Sequence, residues 1–223
     1  MGAYRQYCPI ARASEILAER WTPLLVRNLM LGAHTFNDMA RGVPAMSRSM
    51  LSKRLAELEH VGVIRSKPKE LGRGSTYELT EAGADLAAVI HALGAWGERW
   101  VEVTTTHADP GFALWAWCQA QLDRSKLPEG RIVVAFTFPD EAAGNRHYWL
   151  LIENGDAEVC YADPGGAPDL YVEAESLAFV DWHRGALSWS SAGRDGRITV
   201  SGPPHLARAL ATWNLHAPIA SRT

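Results

Sequence analysis

The sequence predicts an α+β protein in two parts: a helical N-terminal half closed by a short hairpin, and a C-terminal half on a mostly antiparallel sheet. Three observations predict it. Apolar residues recur at helical spacing up to Gly62, and two short extended segments then flank Gly72-Arg73-Gly74. Beyond "VTTTHADPG" (103–111), which has the composition of a linker, β-branched and aromatic runs alternate with Gly, Pro and Asn-Gly. Charge divides along the same line. Residues 1–105 carry thirteen Lys/Arg against eleven Asp/Glu, and the remainder nine against fourteen. Between Arg41 and Arg73 eight basic residues face three acidic ones, the balance expected of a surface that meets a polyanion.

Each element of the first half has a local reason. In "CPIARASEILAERWT", Ile10, Ile16 and Leu17 keep a helical period. Thr22 and Pro23 read as N-cap and first residue of a second helix stopped by Gly32. "HTFNDMARGV" predicts a bend and a short helix capped by Thr35 or Asn37. Ser47 is a good N-cap for the next helix, where Leu51, Leu55 and Leu58 form one apolar stripe and Gly62 the stop. Its other face carries Arg48, Ser49, Ser52 and Lys53, with Arg54 at the border. "VIRSKPK" and "STYELT" read as strands joined by the turn "ELGRG". These elements make a winged helix-turn-helix, whose recognition helix fits a major groove about 12 Å wide. Arg73 between two glycines suits a phosphate or a narrow minor groove. A continuous helix is expected from Glu81 to about Val103, roughly 35 Å long, with Leu86, Val89, Ile90, Leu93, Trp96 and Trp100 along one face. That face calls for a partner, a second subunit or the second domain.

In the second half, "FALWAWCQAQL" predicts a short helix, and "RIVVAFTF", "HYWLLIEN", "AEVCYAD" and "DLYVEA" predict strands, with Asn154-Gly155 a hairpin turn. "ESLAFVDWHRG" reads as helix, "ALSWSSAG" and "RITVSG" as strands, and "PPHLARALATWNL" as a closing helix. Six of the nine tryptophans lie here (Trp115, Trp117, Trp149, Trp182, Trp189 and Trp213), more than a core of this size needs. Either they pack on one another, or Trp115, Trp149, Trp182, Trp189 and Trp213 line a cavity for an apolar ligand.

The motifs "CPIARASEILAERWTPLLVRNLMLGAHTFNDMA", "SRSMLSKRLAELEHVGVI" and "YELTEAGADLAAVIHALGAWG" resemble the HxlR family of bacterial winged-helix transcription regulators, over roughly Cys8 to Trp100. The resemblance implies a homodimer binding a palindromic operator in double-stranded DNA through Arg48, Ser49, Ser52, Lys53 and Arg73. Family members commonly place a basic residue two positions after the capping serine, whereas here Arg48 follows it directly. From about Leu114 to Trp213, "PDLYVEAE" leading into a helix, then "DGRITVSGPP", resemble the sterol carrier protein 2 type of lipid-binding domain. That likeness implies a tunnel for a fatty or otherwise apolar small molecule. The expected division is 1–104 for DNA binding and dimerisation and 112–223 for the ligand.

Catalytic and metal motifs are not found. There is no G-x-S-x-G, P-loop, H-E-x-x-H or C-x-x-C, and His34, His60, His91, His107 and His183 have no ligand at metal spacing. Neither an enzyme nor a cofactor is expected. Three dispersed cysteines argue against a disulfide framework and fit a reducing cytoplasm. No run approaches the ~18 apolar residues of a membrane span. Cys8, ahead of Pro9 at a helix N-terminus, is the one reactive candidate, a redox-sensing thiol, with a small packing residue as the preferred reading. A ligand-responsive DNA-binding regulator is the reading the sequence supports. Its rivals are a Cys8 redox switch with a structural C-terminal domain, and a lipid carrier.

Overall fold

The computed structural model describes residues 4–69 and 72–215. Glu70 and Leu71 of the expected turn, and the last eight residues of the expected second domain, lie outside the described residues. The chain forms two compact units, Met1–Val101 and Glu102–Thr223.

In the first unit, α1 (Pro9–Leu17), α2 (Thr22–Met30), α3 (Phe36–Arg41) and α4 (Arg48–His60) precede a hairpin of β1 (Ile64–Pro68) and β2 (Ser75–Leu79). Thr35 caps α3 in a reciprocal box: its hydroxyl accepts from the Asp38 amide, and its own amide donates to the Asp38 carboxylate. Ser47 caps α4 by accepting from the Met50 amide at 3.3 Å. At the far end Gly62 takes φ +74°, and the Val63 amide reaches back to the Leu58 carbonyl at 2.9 Å. This is a Schellman stop, and it turns the chain directly into β1. The expected cap at Thr22 does not form. Glu19–Trp21 already make a turn, Trp21 stands at the N-cap, and the Thr22 hydroxyl caps nothing.

A buried polar group holds the three-helix core. Asn28, 0% exposed, donates to the Met39 carbonyl and accepts from Arg27, which also donates to the Gly42 carbonyl at 2.7 Å. A Cβ on Gly42 would fall 2.2 Å from the Asn28 side chain, so α3 ends against α2 only with glycine there. Burial pulls the Arg27 guanidinium down to about 10, so near neutral pH it remains the charged donor this arrangement needs.

The long helix expected from Glu81 to Val103 is instead two: α5 (Glu81–Asp85) and α6 (Ala87–Trp100). Thr80 caps α5 and donates to the Gly62 carbonyl at 2.6 Å, which pins the helix against the turn after α4. The Leu86 amide then bonds the Gly83 carbonyl at 3.2 Å, a tight turn that separates the two helices. Beyond Trp100, Val101 is extended (φ −111°, ψ 116°), as β-branched residues favour. At 14 residues α6 spans about 21 Å, shorter than expected.

The second unit has a five-stranded sheet ordered β5-β4-β3-β6-β7: β3 (Ile132–Thr137), β4 (His147–Glu153), β5 (Asp156–Cys160), β6 (Leu170–Ala174) and β7 (Ile198–Ser201). Only β3 and β6 pair in parallel. Asn154 and Gly155, at φ +55° and +78°, make the tight turn expected between β4 and β5. In register, Val134, Phe136, Leu150, Leu170 and Val172 bury one face of the sheet. Their core is shared with α7 (Pro110–Ala116) and the π-helical turn Trp117–Gln121, with α8 (Ser176–His183), α9 (Trp189–Arg194) and α10 (Pro204–Leu210). Pro110 and Gly111, expected in the linker, are buried in α7, where a Cβ on Gly111 would lie 2.6 Å from the Tyr148 hydroxyl. The strand expected at "ALSWSSAG" is α9. Ser188 accepts from the Ser191 amide at 3.1 Å, and this cap outweighs the apolar alternation of Leu187 and Trp189.

Gly83 and Gly94 make a paired test. A Cβ on Gly83 would sit 2.0 Å from the Val63 carbonyl oxygen, whereas one on Gly94 meets nothing within 4 Å. Gly83→Ala should cost about 1–3 kcal/mol and Gly94→Ala should stabilise by roughly 0.5–1 kcal/mol, read by urea unfolding.

Candidate nucleic-acid interface

Helix α4 presents its polar face because its apolar stripe is sunk. Leu51, Leu55 and Leu58 are each 2% exposed or less, while Arg48, Ser49, Ser52 and Lys53 are all exposed. Arg48 is oriented from α3: its guanidinium lies 5.0 Å over the Phe36 ring and donates to Asn37 at 2.8 Å. Fixing the fork this way reduces the entropy lost when its other donors engage a ligand. Lys53 stands 78% exposed, 3.9 Å from Glu57.

The wing is tied to the same helix. The Ser66 amide and hydroxyl both donate to Glu59 near the end of α4, at 2.9 and 2.7 Å. That hydroxyl, aided by the amide, holds the Glu59 carboxyl below its usual range. On the other side Thr35 bridges Thr76, and the Tyr77 amide donates to the His34 carbonyl. Within the hairpin Glu78 pairs with both Lys67 and Arg65, which hold its carboxyl down. Lys69 and Arg73 have no carboxylate partner among the described residues. Arg73 is exposed between Gly72 (φ +87°) and Gly74 (φ +107°), conformations open to glycine. Lys69 is not among the residues the sequence pattern points to; its one signal is adjacency to the turn. Arg54, placed at the border of the polar face, turns inward instead. It joins Glu57 at 2.8 Å and Glu19 at 2.7 Å, with its side chain 14% exposed.

A model of the HxlR-like helix-turn-helix family matches residues 16–105. YvaP of Bacillus subtilis, an uncharacterised HTH-type transcriptional regulator, is 33% identical over 99 residues, 44% of this chain and 92% of that protein. This chain belongs to the HxlR-like helix-turn-helix family. The B. subtilis HTH-type transcriptional regulator YodB is 34% identical over 97 residues, 43% of the HxlR-type chain here and 87% of YodB. Rv3095 of Mycobacterium tuberculosis, an uncharacterised HTH-type transcriptional regulator, is 39% identical over 95 residues, 41% of this chain and 58% of its own. Among solved structures, the reduced form of YodB aligns with TM-score 0.38 and 30% identity over 44% of this chain and 97% of that one. The family match places this HxlR-type chain among bacterial DNA-binding transcription regulators.

The remaining sequence candidates separate in space. Trp115, Trp182 and Trp213 are 1% exposed or less, and Trp189 stacks edge-on to Trp182 at 4.7 Å. Trp149 is half-buried on the opposite face of the sheet, between Ala135 and Cys160 in register, so the five do not share one wall. Trp117 joins the core, 5.4 Å from Trp182 and 6.4 Å from Phe136. The indole N–H groups of Trp115, Trp117 and Trp213 are buried without an acceptor among the described residues. No cluster of three metal-ligating side chains occurs among the described residues, and no helix there is long and apolar enough to cross a membrane.

All three cysteines are thiols. Cys8, half-buried, stands at the N-cap of α1, and Cys118 is buried, donating to the Ala157 carbonyl at 3.1 Å. Burial pushes the Cys118 thiol from 9.0 up to about 12, and burial likewise lifts the Tyr148 phenol to about 12. Both raised values mean that the native state keeps protons the unfolded chain gives up. Stability contributed here is therefore complete below about pH 9 and declines as pH rises toward about 12. Cys118→Ala should flatten that decline in denaturant titrations between neutral and alkaline pH, and an unchanged slope would show that the thiol does not contribute.

Proposed function

We propose that this HxlR-family regulator binds a palindromic operator as a homodimer, docking α4 in the major groove and the Arg73 wing on the flanking backbone. The observation that carries it is the exposed face of Arg48, Ser49, Ser52 and Lys53 on a helix whose opposite side is sunk in the core. Dimerisation is supported by α6. Val89, Leu93, Trp96 and Trp100 are 48% to 65% exposed along it, an apolar strip that a second copy covers. Two recognition helices about 34 Å apart then read successive major grooves. Lys53→Ala or Arg73→Ala should weaken operator binding, by about 1–3 kcal/mol where a base is read, or lower the salt slope by about one where a phosphate is held. A chain that sediments as a monomer at micromolar concentration, or prefers no promoter fragment over random duplex, overturns the reading.

The second unit is proposed as the effector domain, of the sterol carrier protein 2 type, with an apolar small molecule as ligand. Three buried indole N–H groups without acceptors among the described residues support it, because native cores rarely leave such donors unmet. Mass spectrometry of the extracted protein should find a copurifying apolar molecule that changes operator affinity on re-addition. Binding without any change in operator affinity would instead leave a carrier domain joined to a DNA-binding one.

A second reading, thiol sensing, rests on the half-buried position of Cys8 at a helix N-terminus. It requires that Cys8→Ser keep operator affinity and lose the response to diamide. Equal responses in variant and parent make Cys8 a packing residue.

A further inference from the structure

Arg48 opens α4 and stands exposed, on the turn whose side chains reach base edges when such a helix enters a major groove. Its partners come from another element. The guanidinium lies 5.0 Å over the Phe36 ring and donates to the Asn37 side-chain oxygen at 2.8 Å. Phe36 and Asn37 open α3, and α3 is itself held at both ends. The Thr35–Asp38 box closes its start, while Asn28 and Arg27 donate to the Met39 and Gly42 carbonyls at its end. The seat of Arg48 is thereby continuous with the core of the unit.

Other cations nearby are matched by carboxylates. Arg54 joins Glu19 and Glu57, Lys53 approaches Glu57, and Arg65 and Lys67 share Glu78. Arg48 has no carboxylate partner among the described residues, and Asn37 is neutral, so the guanidinium keeps its full charge. Phe36 covers one face of the fork and leaves its edge to a ligand. A guanidinium only donates, so its complement is a pair of acceptors side by side. In the major groove guanine alone offers that pair, N7 and O6. Adenine sets a donor beside its N7, cytosine presents a donor, and thymine an acceptor beside a methyl group.

We propose that Phe36 and Asn37 set the base specificity of this protein by positioning Arg48 to read a guanine through N7 and O6. The reading rests on α4 entering the major groove. Without that seat the side chain would have more rotamer freedom to lose, and a phosphate contact, which carries no sequence information, would serve it equally.

The test begins with selection of binding sequences from a random duplex library by the full-length protein. One guanine in each half-site should be enriched by the parent and not by Arg48→Ala. In the selected duplex, exchanging that G·C pair for A·T should weaken the parent roughly tenfold to a hundredfold and leave Arg48→Ala unchanged. 7-Deazaguanine, which lacks the N7 acceptor, should likewise weaken only the parent, whereas inosine, which keeps N7 and O6, should bind as guanine does. Phe36→Leu and Asn37→Ala should each lower the guanine preference by about twofold to fivefold, and by nothing further once Arg48 is replaced by alanine. A merely structural role would weaken all duplexes equally and leave the preference as it was. Thermal unfolding checks that the variants fold, and Asn37, being exposed, is the one least able to disturb the core. A guanine preference that survives Arg48→Ala overturns the proposal and leaves DNA binding intact. So does an Arg48→Ala that lowers the salt slope by about one and changes no preference, the mark of a phosphate contact. Enrichment of no sequence at all overturns the operator reading and this inference with it.

Discussion

Leu51, Leu55 and Leu58 have one common way into the core, and α4 has one rotation about its axis that takes it. At about 100° per residue the three lie within a narrow stripe, so turning the helix to bury any other face would expose all of them. Full burial of a leucine contributes roughly 1.5–3 kcal/mol, which far exceeds what a surface ion pair offers. The outward position of Ser49, Ser52 and Lys53 is therefore a consequence of packing and not of any interaction these residues make with the rest of the chain. The Ser47 cap and the Gly62 stop then set where the helix begins and ends.

Polar contacts act on orientation, directing the elements that burial has placed. Asn28 and Arg27 join α2 to α3 from inside the core, where an unmet partner would be costly, so the angle between those helices is narrowly determined. From α3, Phe36 and Asn37 then direct Arg48. Ser66 fastens the wing to Glu59, and Thr76 to Thr35, so the hairpin and α4 are held as one surface. The surface pairs of Glu78 with Arg65 and Lys67 add little stability, but they decide where positive charge is free. Among the described residues of the hairpin, Lys69 and Arg73 are the ones left without a carboxylate partner.

In the second unit the sheet alternation does the sorting. Tyr148, Leu150 and Ile152 face the core and Trp149 faces away, so neighbouring aromatics end on different surfaces. The core receives Trp117, Trp182 and Phe179 in tilted and edge-to-face contacts, at 5.2 Å for Phe179 on Trp182. Such packing satisfies ring faces and edges but not the N–H of every indole, and three donors are left for something other than the described chain.

Local pattern alone determined α4, its cap and stop, the hairpin with its glycine-flanked arginine, the Asn154-Gly155 turn and the positions of most strands along the chain. Each depends on residues within a few positions of one another, where helical or strand periodicity and backbone preference act directly. Only the tertiary structure decided the rest. At Leu86 the helix is interrupted where the Leu86 amide bonds Gly83, a residue that lies against the Val63 carbonyl, a contact no helical period encodes. Arg54 turned inward because Glu19, thirty-five positions away in the chain, comes to meet it, and Thr22 lost its cap because the chain ahead of it was already turning. The tryptophans divided between faces according to strand register, and α9 formed where a serine cap outweighed an alternating pattern. Sequence spacing specifies which side of an element a residue occupies, but what that side meets depends on chain segments brought together only when the whole unit closes.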